Sequence, residues 1–137
     1  MRVWIRPGGI HGGDVIVPGD RSIACRWLIL AVTAKGRSTL AGVPRSLDVL
    51  AMISALAALA PLSRPVLEAA AANPRVSGEP SGFTWDASRQ GKPERALSLE
   101  GEGWEGLAGP GRDLDCRNSG TTMRLLSGVV ASRPFRT

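Results

Sequence analysis

Two short segments bring together residue types that could hold an anion. The first is Pro18-Gly19-Asp20-Arg21-Ser22-Ile23-Ala24-Cys25-Arg26. A Pro-Gly turn leads into a helical pattern, and the unbonded N–H groups at a helix start, with the positive end of its dipole, favour negative charge. Arg21 and Ser22 stand at that mouth, and Arg26, four residues after Ser22, lies one turn further along the same face. The second segment is Asn118-Ser119-Gly120-Thr121-Thr122-Met123-Arg124. Gly120 lets a ligand approach the backbone closely. Asn118 offers an amide, and Arg124 adds a charge a turn later. Either segment alone equally describes a well-capped helix with surface arginines. Two of them in one short chain suit a ligand, or a pair of ligands, bearing phosphate and carboxylate groups, which guanidinium grips bidentately.

The elements that must position these loops can be traced along the chain. Residues 3–5 and 13–17 are expected as short strands, the second rich in β-branched residues and stopped by the Pro18-Gly19-Asp20 turn. A helix follows, capped by Asp20 or Ser22, with Ile23, Trp27, Leu28, Ala31 and Ala34 as its expected buried stripe and Gly36 as its stop. Arg37 to Val43 is expected as a strand. The clearest helix begins at Ser46, with Asp48 at the positive end of its dipole and Val49, Met52, Ile53, Leu56 and Leu59 as its apolar face, and it ends or is interrupted at Pro61 and Pro65. Leu67 to Ala72 reads as a short helix. From Asn73 to Asp115 the composition turns to Gly, Pro, Ser and charge. Two brief strands are expected there, at 83–87 and 96–100, and the rest is expected as loose, variable surface. A last helix starts at Asn118 or Ser119, with Met123, Leu126, Val129 and Val130 along one side. This order of strands and helices is typical of an α/β fold.

With these residues in place, a resemblance can be stated. Pro18-Gly19-Asp20-Arg21-Ser22 with Arg26 resembles the shikimate-phosphate loop of the enolpyruvyl-shikimate-phosphate synthases, usually Pro-Gly-Ser/Asp-Lys-Ser-x-x-x-Arg. Asn118 to Arg124 resembles that family's phosphoenolpyruvate loop, and Pro44 to Val49 resembles the linker and helix start between the two loops. The resemblance covers nearly the whole chain apart from the stretch near 61–115. It implies transfer of the enolpyruvyl group of phosphoenolpyruvate to the 5-hydroxyl of shikimate 3-phosphate, with release of phosphate and without metal or cofactor. It further implies that Arg21, Ser22 and Arg26 bind shikimate 3-phosphate. Arg21, Asn118, Gly120 and Arg124 would line the phosphoenolpyruvate and glyphosate pocket, and Asp48 would support the loops from behind. Gly120 matches the glyphosate-sensitive form of the loop. Arg21 departs from the family's lysine, and a planar guanidinium does not replace a compact ammonium without a shift in geometry.

The implied fold is α/β, a partial enolpyruvyl transferase fold. Residues 1–18 would be strands belonging to a second domain. Residues 19–137 would be the first βαβαββ unit of the shikimate-phosphate domain, short of its closing strand. Family members run to about three times this length, and their acid and base carboxylates lie later, so no catalytic residue is expected in this chain. An N-terminal fragment or split subunit is expected, inactive without a complementary C-terminal chain, because acid–base catalysis needs positioned groups. The runner-up within the fold is the transferase acting on UDP-N-acetylglucosamine. Ser22 and Arg26 argue against it, since that family has asparagine after the loop lysine and lacks the later arginine.

Composition bounds these readings. The chain has 137 residues, 43% hydrophobic and 21% charged, with net charge +5 carried by fifteen Arg and two Lys. That balance leaves a small basic nucleic-acid-binding module as an alternative, but the arginines are scattered and not interleaved with aromatics, so no nucleic-acid partner is expected. Cys25 and Cys116, with the single His11, have no metal-ligand spacing. Met1-Arg2-Val3-Trp4-Ile5-Arg6 is not a signal peptide, because no apolar core follows its charges. No run reaches the ~18–20 apolar residues of a membrane span. No membrane association is expected, and the cytoplasm is the expected compartment.

Overall fold

Asp20 starts the first helix: its Oδ1 accepts from the N–H of Ile23 at 2.7 Å, which satisfies one of the orphan donors of the first turn. The computed structural model describes residues 19–72 and 96–135, so the strands expected at 3–5, 13–17 and 83–87 and the segment 1–18 lie outside the described residues. Within them the order is α1 (Arg21–Thr33), β1 (Lys35–Leu40), α2 (Leu47–Leu59), α3 (Arg64–Ala71), β2 (Leu97–Glu102), a single 3-10 turn (Trp104–Gly106) and α4 (Gly120–Val130). None of these helices is long and apolar enough to cross a membrane.

α2 is the centre. Its expected apolar face, Val49, Met52, Ile53, Leu56 and Leu59, is buried, and so are Leu50, Ala51, Ala55, Ala57 and Ala58. A helix that is apolar all round must be covered all round. α1, α3 and α4 all pack on α2 and supply that cover. Pro61 follows α2 directly, whereas Pro65 stands in the first turn of α3. Pro65 therefore opens a helix instead of interrupting one, since a first-turn residue has no intrahelical use for the missing N–H.

β1 and β2 form an antiparallel ribbon in the register Lys35↔Glu102 to Leu40↔Leu97. α1 packs against both strands as well as α2. The far side of β2 is closed at Glu100 by a side chain. The buried hydroxyl of Ser63 donates to the Glu100 carbonyl at 2.7 Å and accepts from its N–H at 2.9 Å. One serine thus replaces a strand at the position where an open edge would leave two backbone groups unpaired. Ser63→Ala is expected to cost about 1–3 kcal/mol, because both part-buried Glu100 backbone groups lose their partner. A guanidinium titration that left the midpoint unchanged would contradict this.

Three expectations about burial are corrected. Ile23 and Trp27 were assigned to the buried stripe of the first helix, but both are exposed, and Ala24, Cys25, Leu28, Ile29, Ala31 and Val32 face inward. The helix has apolar residues on every side, so periodicity alone could not choose its inner face. Met123 is likewise exposed, and Thr122, Leu126 and Val129 are the buried residues of α4. The strand expected at 96–100 is present as β2, and the stretch after it is not loose throughout. Leu99 and Leu107 are buried, and the Gly103 N–H donates to the Ala34 carbonyl at 2.9 Å. Gly101 lies in β2 where an added Cβ would collide with the Ala34 carbonyl oxygen and come within 2.9 Å of the carbonyl oxygens of Ala31 and Val32. Its glycine content there reflects close approach of a strand to a helix end and not slack.

Candidate functional site

Three helix N-termini meet at Asp48. The residue sits in the first turn of α2, behind the N-cap Ser46, whose Oγ accepts from the Val49 N–H at 3.4 Å. Its carboxylate accepts from the Arg21 guanidinium, in the first turn of α1, at 2.7 Å. Its backbone carbonyl accepts from the Thr122 hydroxyl, in the first turn of α4, at 3.2 Å. One residue therefore holds the starts of α1 and α4 against that of α2.

Ser119 caps α4. Its Oγ accepts from the Thr122 N–H at 3.2 Å and donates to Thr122 Oγ1 at 2.9 Å. Both side chains are buried. Each hydroxyl donates once, so the chain of bonds from Ser119 through Thr122 to Asp48 is fully satisfied. Thr122 was not among the residues singled out from sequence. The available signal was its place three residues after the N-cap, where a capping box carries Glu or Gln. Thr122→Val keeps the shape and removes the hydroxyl. It is expected to destabilise the fold by about 1–2 kcal/mol, since the buried Ser119 hydroxyl loses its acceptor and the Asp48 carbonyl its second donor, while Thr122→Ser loses less. Equal melting temperatures for the threonine and valine forms would refute the bridge.

The approach of the chain to α1 is equally constrained. A Cβ on Gly19 would collide with the carbonyl oxygen of Gly42, and Gly42 itself has φ 68°. The loop between β1 and α2 thus presses on the residue before the Asp20 cap, a contact only glycine permits. Before α4, Arg117 takes φ 48° and donates its N–H to Asp115 Oδ1 at 2.7 Å. A left-handed conformation costs a non-glycine residue about 1–2 kcal/mol, and this strained turn delivers Asn118.

The arginines curl back toward the helix starts. Arg26 Nη1 donates to the Ser22 carbonyl at 2.9 Å, which keeps its guanidinium beside the first turn of α1. A Cβ on Gly120 would lie 3.5 Å from Arg124 Nη1, so that guanidinium covers the first residue of α4. Arg21, Arg26 and Arg124 are all exposed. Of the sequence-derived residues, Arg21 and Asp48 are brought into direct contact, Ser22 and Arg26 share the start of α1, and Asn118, Gly120 and Arg124 share the start of α4. Three dipole-positive ends and three guanidinium groups stand against two carboxylates, the capping Asp20 and the ion-paired Asp48, and the balance favours anions.

Cys25, buried under this cluster, is held in its thiol form. Burial pushes it above the ordinary value of 9.0, with the Asp48 carboxylate adding to the effect and Arg26 and Arg21 opposing it. Burial, then Asp115, also raises Cys116. Neither is suited to act as a thiolate nucleophile near neutral pH. A cleft of about 220 Å³ lies elsewhere, lined by Ser54, Ala58, Arg112 and Arg117 among others, and none of the sequence-derived site residues borders it.

The family described as EPSP synthase (3-phosphoshikimate 1-carboxyvinyltransferase) matches residues 5–86. The chain belongs to the EPSP synthase family. It is 37% identical to the 3-phosphoshikimate 1-carboxyvinyltransferase of Halorhodospira halophila over 133 residues, which cover 97% of this chain and 24% of that protein. Against the protein of the same name from Coxiella burnetii, identity is 38% over 125 residues, 91% of this chain and 23% of the relative. For Acidithiobacillus ferrooxidans the values are 34% over 134 residues, 98% and 25%. This EPSP synthase family chain thus spans about a quarter of the length of the curated relatives it matches. Among the described residues, four helices and an antiparallel ribbon make a mixed α/β arrangement consistent with part of the synthase fold.

Proposed function

We propose that the chain supplies the shikimate 3-phosphate loop and one wall of the phosphoenolpyruvate pocket of a 3-phosphoshikimate 1-carboxyvinyltransferase. The assembled enzyme would transfer the enolpyruvyl group of phosphoenolpyruvate to the 5-hydroxyl of shikimate 3-phosphate and release phosphate. The observation that carries this reading is the union of three helix starts at Asp48, with Arg21, Arg26 and Arg124 beside them. Arg21, Ser22 and Arg26 would hold the phosphate of shikimate 3-phosphate. Asn118, Gly120 and Arg124 would meet phosphoenolpyruvate, with Arg21 reaching both ligands. Asp48 would hold the frame. In this reading residues 1–18 belong with a second domain and residues 19–137 form one unit of the first, in the cytoplasm. The acid and base groups would come from a complementary C-terminal chain, and this chain alone would not turn over. Two measurements test the reading. Calorimetry on the isolated chain is expected to show shikimate 3-phosphate binding that phosphoenolpyruvate strengthens. Co-production with the missing portion is expected to restore phosphate release from the two substrates. Absence of both would overturn the reading.

Gly120 carries a sharper expectation. An added methyl would sit in ordinary contact with the Arg124 guanidinium, 3.5 Å from Nη1, and nothing in the backbone opposes it. Gly120→Ala should therefore leave the fold intact, and at a helix position it should be neutral to stabilising by up to about 1 kcal/mol. It should weaken glyphosate and phosphoenolpyruvate in the assembled enzyme about tenfold, as a methyl intrudes where the ligand approaches the backbone. Unchanged inhibition by glyphosate would remove Gly120 from the pocket.

A further inference from the structure

α1 carries apolar residues on every side. Ala24, Leu28, Ala31 and Val32 are buried, whereas Ile23, Trp27 and Leu30 are 56%, 57% and 57% exposed. These three follow one another at spacings of four and three, so they form one continuous stripe along the side turned away from the core. Single exposed hydrophobic residues are ordinary, but three adjacent large ones on one helix face mark an interaction surface. The neighbouring α2 shows the rule: it is apolar all round and is covered all round within this chain. α1 carries Arg21, Ser22, Arg26 and Thr33 besides its apolar residues, yet its Ile23–Trp27–Leu30 stripe stays more than half exposed among the described residues.

We propose that the Ile23–Trp27–Leu30 stripe is the surface on which the remaining portion of the synthase seats. This rests on the reading above, that the chain works with a complementary portion, and it names where the two meet. Two observations favour that occupant over a second copy of the chain. The match covers about a quarter of each of these relatives, so about three quarters of their length lies outside the matched segment. The stripe also begins at Ile23, next to Ser22, so a body seated on it arrives beside the anion-binding mouth, where the acid–base groups must be brought. A second copy docked there would bring no such group.

The test is to co-produce the tagged chain with the part of the Halorhodospira halophila relative that lies outside its matched segment. Co-purification, dissociation constant and phosphate release are then measured. The unaltered chain is expected to retain the remainder. Trp27→Glu/Leu30→Glu is expected to weaken that association about a hundredfold, and the milder Trp27→Ser about tenfold, the scale set by losing a buried aromatic anchor. Both variants should keep the helical circular dichroism of the isolated chain, because the side chains are exposed there. Trp104→Glu, at another exposed tryptophan, should associate normally. Normal association of both stripe variants would overturn the assignment while leaving the complementary-portion reading intact. No association and no phosphate release with the unaltered chain would overturn both. An isolated chain that sediments as a dimer, and becomes a monomer with Trp27→Glu/Leu30→Glu, would give the stripe to a second copy and overturn the assignment.

Discussion

Gly101→Ala is expected to destabilise the chain by about 3 kcal/mol or more. The added Cβ would meet three backbone carbonyl oxygens at the end of α1, those of Ala34, Ala31 and Val32. Overpacking against side chains costs about 1–3 kcal/mol because the neighbours can rotate away. Backbone atoms cannot, so here the helix end and the strand must separate. Separation also strains the Gly103 N–H to Ala34 carbonyl bond at 2.9 Å. A domain of this size has a total stability of ~5–15 kcal/mol, so the loss removes a large share of it. Urea titration checks the expectation: the midpoint should fall sharply with little change in slope. A midpoint within error of the parent would mean that α1 and β2 do not approach as closely as described. The effect also reaches the candidate site. α1 is a rigid rod of about 20 Å, so displacing its C-terminal end tilts Arg21 and Ser22 at the other.

Arg26→Ala is expected to leave folding almost untouched and to weaken shikimate 3-phosphate binding about 10–150-fold, the equivalent of ~1.5–3 kcal/mol for a hydrogen bond to a charged group. The small folding cost follows from exposure: its one intramolecular bond goes to the Ser22 carbonyl, on the surface. The large binding cost follows from the placement of its remaining donors beside the first turn of α1, where the dipole already favours an anion. Arg26→Lys keeps the charge and loses the fork, so it should fall between the two. Calorimetry with shikimate 3-phosphate on the three forms reads the series directly. Equal affinity in the alanine form would remove Arg26 from the site, and with it the strongest part of the first-loop assignment.

How much was legible in the sequence can be followed residue by residue. The caps largely were: Ser46 begins its helix as its side-chain chemistry dictates, Asp20 was one of two candidates for the first helix, and Ser119 was one of two for the last. The face of α2 was legible because every face of it is apolar, and any choice would have been buried. The face of α1 was not, for the same reason. Ile23 and Trp27 are as apolar as Leu28, and only the position of α2 and the ribbon decides which of them is covered. The strand at 96–100 was legible, and the residues after it misled because glycine has two opposite uses. It can loosen a loop, or it can admit a backbone at a distance no side chain allows, and Gly101 belongs to the second case.

The candidate site divides in the same way. Local chemistry in the sequence determined the two loops, the helix starts, the arginines a turn beyond them and the family to which the chain belongs, since each depends on residues within seven or nine positions of one another. Tertiary structure alone decided that the two loops share a frame. The contacts that join them span 27 positions between Arg21 and Asp48 and 74 between Asp48 and Thr122. No local pattern encodes such a pairing, because it exists only once α1 and α4 have each buried their apolar faces against α2 and their N-termini have been carried to the same end of it.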